Sequence, residues 1–600
     1  MTIHSEAITP AENKAITGAQ LVVKALREEG ADTIFAYPGG QAIDLFDALY
    51  DAPDIRLILP RHEQGLIHAA DGYARATGKT GVCMVTSGPG ATNLVTGIAT
   101  ANYDSVPLVC ITGQVPTHLI GNDAFQEVDI VGITRSISKY AVTVRNRQEL
   151  GTILKNAFHI ASTGKPGVVV VDIPKDIQQA PGSSAYPKQA CIRSYKPNTQ
   201  VHPGQIKKVM ELLANARRPL LLAGGGVHIS GASHRLAQLC GLTGIPVVTT
   251  IMGKGAIPSD HPLYVGNIGI HGSFAANNAV NHCDVLLSIG TRFNDRITGQ
   301  LDTFAPDAKI IHMDIDPASI SRNITVDIPI VCDAANGVAA LLQKASPLDV
   351  GNWQAQIQSW KDAHPLGAEN GKKSALSPVA EPGCQETLTP YFIMQALNTE
   401  FAEAIIATDV GQNQLWATQF LDLNEHRQLL TSGGLGTMGY GLPAALGAKL
   451  GCPDKTVIAV TGDGGIQMNI QELATAIAYE LPVILCILNN SFLGNVRQWQ
   501  EMFYHRRYSG TCLRVRKSCP QSCSAPGTHC PPYVPDFVRL AESYGAVGIR
   551  VTHPDAVLPA LQKARENTKT PTIIEFIIGC EENVLPIVPP GKPLDQMELN

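Results

Sequence analysis

Two apolar runs frame residues 455–490, KTVIAVTGDGGIQMNIQELATAIAYELPVILCILNN, and the pattern between them is helical. Each run has the composition of a buried parallel strand, and Asp463 and Asn490 stand at the two strand ends. Residues 466–480 fit a right-handed crossover, which would place the two strands side by side. A carboxylate and a carboxamide would then meet at one sheet edge, where such hard oxygen ligands suit Mg²⁺ that also holds phosphate oxygens. Asp-Gly and Asn-Asn also occur in ordinary turns, but together at this spacing they predict a metal-bridged diphosphate site.

The same alternation of short apolar runs and helical patterns continues along most of the chain, which predicts an α/β fold of βαβ units. The predicted strands form three groups: 55–59, 81–86, 107–112 and 167–173; 219–223, 246–250, 285–289 and 309–315; 404–408, 456–461, 482–488 and 572–578. Two polar, proline-containing stretches, 180–204 and 345–390, separate these groups and are typical of linkers. The expected architecture is therefore three doubly wound parallel-sheet domains, at 15–185, 200–345 and 388–585.

Length and composition narrow the class of protein. The 600 residues exceed what one core holds, and 16% charged with 44% hydrophobic residues is typical of a soluble α/β protein. The net charge of −6, without a basic block, argues against nucleic acid and anionic membranes as partners. No apolar stretch reaches the roughly 18 residues that span a bilayer. Residues 1–16 resemble neither a signal peptide nor a transit peptide, so a cytoplasmic location is expected.

A second candidate carboxylate, Glu63, lies in PRHEQG (60–65), after the predicted strand 55–59 and before a helix that runs to residue 76. Open α/β sheets bind ligands at the carboxyl ends of their strands, which favours a functional role for Glu63. The alternative is a carboxylate that only stabilises the helix N-terminus through the macrodipole.

Three glycine-rich turns allow a ligand to approach the backbone closely. PGG (38–40) and TSGPGATN (86–93) are strand-to-helix turns that offer amide donors at a helix start. The run SGGLGTMGYG (432–441) surrounds Met438 with glycines, which suggests an apolar side chain that supports a flat cofactor.

Together these motifs resemble those of thiamine-diphosphate enzymes, and more narrowly those of the catalytic large subunits of acetohydroxyacid synthases (acetolactate synthases). The resemblance runs from about residue 17 to residue 590 and rests on PRHEQG (60–65), TSGPGATN (86–93), ITGQVP (111–116), DAFQEVDIVGITR (123–135), GTRFNDRITG (290–299), GTMGYGLPAALGA (436–448), TGDGGIQMNIQELATA (461–476) and VRQWQ (496–500). It implies a pyrimidine-binding N-terminal domain, a central FAD-binding-like domain and a C-terminal diphosphate domain.

The resemblance implies thiamine diphosphate and Mg²⁺ as cofactors. It assigns to thiamine diphosphate the residues Gly39, Gly40, Glu63, Ser87, Asn93, Val410, Gln412, Met438, Gly462, Asp463, Gly464 and Asn490. Asp463, Asn490 and the backbone carbonyl of Phe492 would hold Mg²⁺. Glu63 would hydrogen-bond the pyrimidine ring from the partner subunit, and Met438 would hold the cofactor in a bent conformation.

The implied activity is decarboxylation of pyruvate and transfer of the hydroxyethyl unit to a second 2-oxo acid, pyruvate or 2-oxobutyrate. This is the first common step in the biosynthesis of valine, leucine and isoleucine. Arg296 would bind the carboxylate of the acceptor, because a guanidinium suits a planar carboxylate. Trp499 would shape a pocket that favours 2-oxobutyrate. The catalytic set carried over from the family is Glu63, Phe125, Gln126, Lys175, Arg296 and Trp499.

The resemblance also implies FAD, in a non-redox role. Gly224-Gly225-Gly226 lacks the fingerprint G-x-G-x-x-G, so this expectation rests on the family alone. The implied FAD residues are Lys165, Gly224, Gly225, His271, Gly272, Arg292, Asp314 and Asp333. A homodimer or tetramer with the active site at the subunit interface, and a small regulatory subunit, are the implied partners.

The chain departs from the family pattern in three places. Leu66 and Ile67 replace small residues after HEQG, and Asn495 replaces a methionine beside the substrate channel. Asn495 either alters the acceptor preference or is a tolerated exchange. The third departure is an insertion at residues 511–534, in a region that forms a lid over the active site in the family.

The insertion carries Cys512, Cys519, Cys523 and Cys530, with His529 beside the last. Zinc binding is one interpretation, although the spacing C-x6-C-x3-C-x6-C is not that of a zinc knuckle. A redox-sensitive disulfide pair and a surface insertion without a ligand are the alternatives.

Three competing functions remain at the level of sequence. Another carboligase or pyruvate oxidase of the same fold is disfavoured by Arg296, Trp499 and DAFQE (123–127). A catabolic acetolactate synthase would lack the RF-DR motif, here Arg292–Arg296. A non-catalytic paralogue is disfavoured because Glu63, Asp463 and Asn490 are intact, but the lid insertion and Asn495 keep this alternative open.

Overall fold

The computed structural model describes residues 15–367, 388–520, 523–524 and 530–599. Within them the chain forms three six-stranded parallel sheets and one two-stranded ribbon. The protein divides into two compact units: one holds the residues up to Ala74 with Lys79–Lys196, and the other holds Arg75–Gly78 and the chain from Pro197 onward. Each sheet lies inside one of the three domain ranges expected from the sequence, whose boundaries stay a prediction.

The first unit contains the N-terminal sheet, with strand order β3-β2-β4-β5-β7-β6. Its strands, with those of the ribbon, are β1 (Ile16–Thr17), β2 (Thr33–Tyr37), β3 (Arg56–Ile58), β4 (Gly81–Val85), β5 (Leu108–Gln114), β6 (Tyr140–Thr143), β7 (Val168–Pro174) and β8 (Pro181–Gly182). The α-helices are Gly18–Glu28, Ile43–Tyr50, Glu63–Thr77, Pro89–Thr92, Val95–Tyr103, Ile130–Thr134, Leu150–Ser162 and Lys175–Gln179, with 3-10 turns at Thr117–Leu119 and Arg147–Glu149.

The first helix shows how local sequence sets an element boundary. The Thr17 hydroxyl accepts a hydrogen bond from the backbone N–H of Gln20, and the Gln20 side chain accepts one from the N–H of Thr17. This capping box satisfies two amide donors that a helix start leaves open. Leu21 and Val22 are among the residues that the helix then buries in the N-terminal core.

The central sheet has the strand order β11-β10-β9-β12-β13-β14. Its strands are β9 (Pro219–Ala223), β10 (Val247–Thr249), β11 (Tyr264–Asn267), β12 (Val285–Ile289), β13 (Lys309–Asp314) and β14 (Ile328–Val331). The α-helices are Pro203–Ala214, Gly225–Ile229, Ser233–Thr243, Phe274–His282, Asp295–Thr298, Ala334–Leu342 and Gly351–Ala363, with 3-10 turns at Ile251–Gly253, Leu301–Thr303 and Pro317–Ser319. Counted within the sheet the order is 3-2-1-4-5-6, the order of doubly wound dinucleotide-binding sheets.

Both faces of the central sheet are covered. Leu221 and Ala223 of β9 belong to one apolar core, whereas Leu220 and Leu222 of the same strand belong to another. Successive side chains of a strand point to opposite faces, so a strand that is apolar throughout must be buried on both.

The expectation that residues 345–390 form a linker was wrong for the first part. Helix Gly351–Ala363 packs on the central sheet, where Trp353 and Ile357 are buried and Trp360 is partly buried. Their spacing of four and three residues is that of one helix face, which the polar residues between them obscured. Residues 368–387 of this stretch lie outside the described part of the chain.

The C-terminal sheet has the strand order β16-β15-β17-β18-β20-β19. Its strands are β15 (Ile405–Thr408), β16 (Leu429–Leu430), β17 (Val457–Gly462), β18 (Ile484–Asn489), β19 (Val547–Val551) and β20 (Thr572–Ile577). The α-helices are Pro390–Glu400, Gln412–Phe420, Gly441–Gly451, Glu472–Ala478, Gly494–Phe503, Phe537–Tyr544 and Val557–Glu566, with 3-10 turns at Ile466–Met468 and Pro554–Ala556. Counted within each sheet, the N-terminal and C-terminal sheets share the order 2-1-3-4-6-5, although no repeat is visible in the sequence.

In the described part of the chain, no helix combines the length and the apolar composition needed to cross a bilayer.

Two histidines meet where the helix after β9 contacts the chain before β16. His228 Nε2 lies 3.0 Å from the carbonyl oxygen of Lys254, and His228 Nδ1 lies 3.1 Å from His426 Nδ1. Because a carbonyl only accepts, Nε2 of the neutral His228 carries the hydrogen, and its Nδ1 accepts from His426. Burial, with His426 as the next contribution, lowers the pKa of His228 to about 4.

This pair predicts acid sensitivity of the fold. His228 becomes protonated below about pH 6.5 in the unfolded chain but only near pH 4 in the folded chain. Between these two pH values the unfolded state binds more protons, so the free energy of unfolding falls as the pH decreases. The slope from one such group is at most about 1.4 kcal/mol per pH unit. We expect the drop in melting temperature between pH 7 and pH 5 to be smaller in His228→Asn than in the wild type. The exposed His553→Asn is the control, and equal drops in all three proteins would contradict the prediction.

Candidate active site

The carboxyl ends of β17 and β18 form the predicted juxtaposition. The two strands pair in parallel, with Gly462 opposite Leu488, so Asp463 and Asn490 follow neighbouring strand ends. β15 lies on the other side of β17, and the within-sheet order reverses between these two strands. Open α/β sheets bind ligands at such a switch point.

Asp463 is buried and incompletely satisfied. Its side chain is 1% exposed, and its Oδ2 has no hydrogen-bond partner among the described residues. Burial raises the pKa of Asp463 to about 7. A buried acceptor without a partner costs free energy, and a bound cation would remove that cost by taking the lone pair. This orphaned oxygen fits the Mg²⁺ ligand that the sequence predicted.

Asn490 is held rigidly beside it. Its Oδ1 accepts from the N–H of Phe492 at 3.0 Å, and its Nδ2 donates to Gln412 Oε1 at 3.0 Å. Gln412 Nε2 in turn donates to Gln498 Oε1 and to the carbonyl of Glu582. The structure therefore shows Gln412, predicted as a cofactor contact, in the role of fixing the orientation of Asn490. The second lone pair of Oδ1 is the one suited to a cation.

Asp409, which the sequence reasoning missed, shapes the loops around this site. It follows β15 and is buried, and its carboxylate accepts from the N–H groups of Val410, Gly439 and Gly441 at 2.8–3.1 Å. A Cβ atom on Gly465 would lie 2.3 Å from Asp409 Oδ1. One carboxylate thus joins the Met438 loop to the turn after β17.

The glycines of these loops allow the neighbouring turns to approach one another closely. Gly439 has φ +87°, and a Cβ there would lie 2.8 Å from the Cβ of Met468. A Cβ on Gly464 would meet Leu493 at 2.8 Å and the Met438 methyl carbon at 3.7 Å. The half-buried Met438 therefore lies beside the turn that carries Asp463, and its supporting role stays a prediction.

In the first unit, a second group of predicted residues assembles around Glu63. Glu63 begins the helix Glu63–Thr77, and its Oε2 accepts from Asn93 Nδ2 at 3.0 Å. Its Oε1 lies 3.4 Å from the position of a Cβ on Gly90, and Thr86 lies within 2.6 Å of the position of a Cβ on Gly39. A Cβ on Gly39 or on Gly90 would collide with Thr86, so glycine is needed at both positions.

Further predicted residues lie on the same sheet edge. The Ser87 hydroxyl is buried and has no hydrogen-bond partner among the described residues. Gln126, with φ +59°, backs onto Gly88, and Lys175 Nζ donates to the carbonyl of Gly40 at 2.8 Å. The Phe125 side chain is 84% exposed. Ser87, Gln126 and Lys175 therefore all lie on loops that follow the carboxyl ends of strands in the N-terminal sheet.

Leu66 and Ile67, the first departure from the family pattern, are fully buried. The Ile67 Cγ2 atom lies 2.0 Å from the position of a Cβ on Gly97. The larger side chain after HEQG is therefore accommodated by a glycine on the helix Val95–Tyr103.

Arg296 and Trp499, predicted to bind the acceptor, are neighbours. The Arg296 guanidinium carbon lies 5.9 Å from the centre of the Trp499 ring, and its side chain is 61% exposed. Asn495 lies one turn before Trp499 on the helix Gly494–Phe503, on the side of Asn490. Neither the buried Asn495 Oδ1 nor the buried Trp499 Nε1 has a hydrogen-bond partner among the described residues.

The predicted FAD residues of the second unit lie at the carboxyl edge of the central sheet. Gly224 and Gly225 follow β9, His271 and Gly272 follow β11, Arg292 follows β12, Asp314 ends β13, and Asp333 follows β14. A Cβ on Gly224 would lie 2.4 Å from the carbonyl oxygen of Gly290, so the turns after β9 and β12 touch. Burial lowers the pKa of His271 to about 4, with Arg296 as a further cause. Asp333 caps the helix Ala334–Leu342.

Lys165 is placed differently from the other predicted residues of the first unit. It precedes β7, whereas Lys175 follows the same strand, so the two lysines lie at opposite edges of the N-terminal sheet. Its assignment to FAD stays a prediction.

The insertion is attached to the candidate metal site at both ends. Phe492 and Cys512 form an antiparallel bridge, with Leu493 N–H bonded to the Thr511 carbonyl. Near the other end, the Tyr533 hydroxyl lies 3.3 Å from the carbonyl oxygen of Asp463. Cys512, Cys519 and Cys523 are free thiols, and no group of three or more His, Cys, Asp or Glu side chains that could hold a metal occurs in the described parts of the chain. His529 lies outside the described residues.

Comparison with known proteins agrees with this geometry. Three family descriptions match: "Thiamine pyrophosphate enzyme, N-terminal TPP binding domain" at residues 16–133, "central domain" at 206–341 and "C-terminal TPP binding domain" at 409–576. The acetolactate synthase large subunit of Corynebacterium glutamicum is 46% identical over 583 residues, covering 96% of this chain and 89% of that protein. Acetolactate synthase of Mycobacterium bovis is 44% identical over 589 residues, covering 97% and 91%.

The acetolactate synthase isozyme 3 large subunit of Escherichia coli K12 is 42% identical over 597 residues, covering 98% of this chain and 99% of that protein. Nearly the whole chain is therefore shared with these relatives. The chain belongs to the family of acetolactate synthase large subunits, which are thiamine pyrophosphate enzymes.

Proposed function

We propose that this chain is the catalytic subunit of an acetolactate synthase, which joins the two-carbon unit of pyruvate to a second 2-oxo acid. The observation that carries the proposal is the position of the helix Gly494–Phe503. It starts beside Asn490, and Trp499 in its middle lies 5.9 Å from the Arg296 guanidinium. One helix would thus connect the diphosphate-metal site with the carboxylate-binding group.

Asp463, Asn490 and the carbonyl of Phe492 would hold Mg²⁺ against the diphosphate of the cofactor. When bound, thiamine diphosphate supplies the nucleophile and the electron sink that decarboxylation of a 2-oxo acid requires. The chain's own residues orient the substrates and select the acceptor acid. Arg296 binds the acceptor carboxylate, and the Trp499 ring packs against its side chain. Glu63 would hydrogen-bond the pyrimidine ring.

We infer a homodimer or tetramer in which Glu63 of one subunit and Asp463 of another serve one site. The relatives named large subunits support a small regulatory subunit as a further partner. FAD in a non-redox role is supported by the dinucleotide-type strand order of the central sheet and by the residues at its carboxyl edge. Denaturing the purified protein and measuring flavin fluorescence in the supernatant tests for FAD. No released flavin from protein that was purified in the presence of excess FAD would contradict it.

The test of the function is formation of acetolactate from pyruvate by the purified chain, supplied with thiamine diphosphate, Mg²⁺ and FAD. We expect acetolactate, and a shift of product towards acetohydroxybutyrate when 2-oxobutyrate competes. Acetaldehyde or acetate as the main product would instead indicate a decarboxylase or an oxidase of the same fold.

Asn495 is expected to weaken the preference for 2-oxobutyrate. Its Oδ1 is buried without a partner beside the Trp499 face, so the wall there is polar. In Asn495→Met we expect the ratio of acetohydroxybutyrate to acetolactate to rise about 3- to 5-fold, since one buried methylene contributes about 0.8 kcal/mol. Val496→Met changes a neighbouring exposed position of the same helix and is the control. An unchanged ratio in Asn495→Met would show that the exchange is neutral.

A further inference from the structure

A cavity of about 600 Å³ lies beside the candidate metal site. It is bounded by the ends of β18 and β20 and by the two ends of the insertion. Pro532, Pro535 and Ile578 are among its apolar walls, and Arg514 and Cys580 are among its polar ones. A volume of this size is that of a small-molecule pocket. Of its lining residues, the proposed reaction uses only Asn490.

Three of the four charged groups in the wall, one arginine and two carboxylates, are hydrogen-bonded to one another. Arg550 donates to Glu575 Oε2 at 2.7 Å and to Asp536 Oδ1 at 2.7 Å. The other oxygen of Glu575 accepts from Asn489 Nδ2 at 2.7 Å. Arg550, Glu575 and Asp536 therefore all have hydrogen-bond partners within the wall and need no ligand to satisfy them.

Arg514 is the remaining charged group in the wall. Its Nε is buried and has no acceptor among the described residues. Arg514 also interacts electrostatically with Cys580. Burial raises the pKa of the Cys580 thiol, and the positive charge of Arg514 opposes that increase. A buried guanidinium N–H without an acceptor is costly, and a planar anion that accepts from two N–H groups removes the cost.

We propose that this cavity binds a small carboxylate with an apolar tail, whose carboxylate pairs with Arg514 and whose tail lies against Ile578 and Pro535. The occupant would also touch the metal site, because Asn490 and Tyr533 line the cavity and Tyr533 contacts the Asp463 carbonyl. Occupancy is therefore expected to change the apparent affinity for Mg²⁺. The site is separate from Arg296, and its existence does not depend on the proposed function.

The first test is titration calorimetry of the full chain with 3-methylbutanoate, with its neutral analogue 3-methylbutanamide and with inorganic phosphate. To remove the other candidate carboxylate site, the titrations are repeated in Arg296→Gln. We expect the carboxylate to bind in both backgrounds, and the amide to bind about tenfold more weakly because the charged pair is lost. Arg514→Gln should weaken the carboxylate similarly, whereas the exposed Arg507→Gln should not.

The second test locates the ligand. Alkylation of Cys580 by iodoacetamide, followed peptide by peptide with mass spectrometry, should be slowed several-fold by 3-methylbutanoate. The exposed Cys191 in the first unit is the internal control, and its alkylation should not change.

Four results would overturn the proposal: no binding at millimolar concentration, equal binding of acid and amide, binding that depends on Arg296 but not on Arg514, or binding of phosphate in place of the carboxylate. If Arg514→Gln does not fold, the comparison of acid with amide and the protection of Cys580 in the wild type decide the matter.

Discussion

Asp463→Asn should abolish acetolactate formation, with a fall of at least about a thousandfold at saturating pyruvate, since it removes the charged metal ligand at the diphosphate. Asn is the same size as Asp and fits the same buried position. The substitution also removes a carboxylate whose charge is costly to bury, as its pKa of about 7 indicates. The apo variant should therefore melt at or above the wild-type temperature at pH 8.

The decisive comparison for Asp463 is the melting temperature with and without Mg²⁺ and thiamine diphosphate. The wild type should be stabilised by their binding, and Asp463→Asn should not, because linkage requires binding to the folded state. Asp454→Asn, an exposed change of equal charge in the same domain, should keep both activity and stabilisation. An active Asp463→Asn, or one still stabilised by Mg²⁺, would show that the metal is held elsewhere.

Glu63→Gln should lower the rate of acetolactate formation by about 10²- to 10⁴-fold, the range for loss of a positioned acid–base group. Gln keeps the size of Glu63 and can still accept from Asn93, so the turn should stay intact. Because the variant leaves Asp463 and Asn490 unchanged, stabilisation by Mg²⁺ and thiamine diphosphate should be largely retained.

Comparing Glu63→Gln with Asp463→Asn separates the contribution of metal binding from that of proton transfer. Loss of rate with cofactor binding intact in Glu63→Gln, and loss of both in Asp463→Asn, is the expected pattern. Glu28→Gln, at an exposed position of the first helix, controls for the charge change. Full activity of Glu63→Gln would mean that Glu63 serves only the helix N-terminus.

Sequence reasoning predicted the interior of each sheet better than its edges. All twelve predicted strands are present, whereas β6, β11, β14, β16 and β19 were missed, and each of them is an edge strand. Four of them, β6, β14, β16 and β19, are partly exposed and lack the continuous apolar run that marked the others. β11 is buried but is only four residues long. β2 lies inside its sheet but was missed because its apolar run, Ile34–Ala36, is only three residues long.

The site was predictable where a polar residue follows a strand, and not where a contact depends on tertiary structure. Asp463 and Asn490 carried that signal, and Asp409 carried it too, directly after the predicted strand 404–408. The roles of Gln412, which fixes Asn490, and of Tyr533, which contacts Asp463 from within the insertion, have no local signature. Such roles depend on residues far apart in sequence being brought together.

The two attachments of the insertion make it a closed loop whose ends are fixed. Thr511 and Leu513 are bonded to the turn after β18, and Tyr533 is bonded to the turn after β17. Loop-closure entropy grows only logarithmically with length, so doubling the chain between fixed ends costs about 0.6 kcal/mol. The stretch between Leu513 and Tyr533 can therefore lengthen or shorten across evolution at little cost to the fold, while the residues that close the loop stay bound to the metal site.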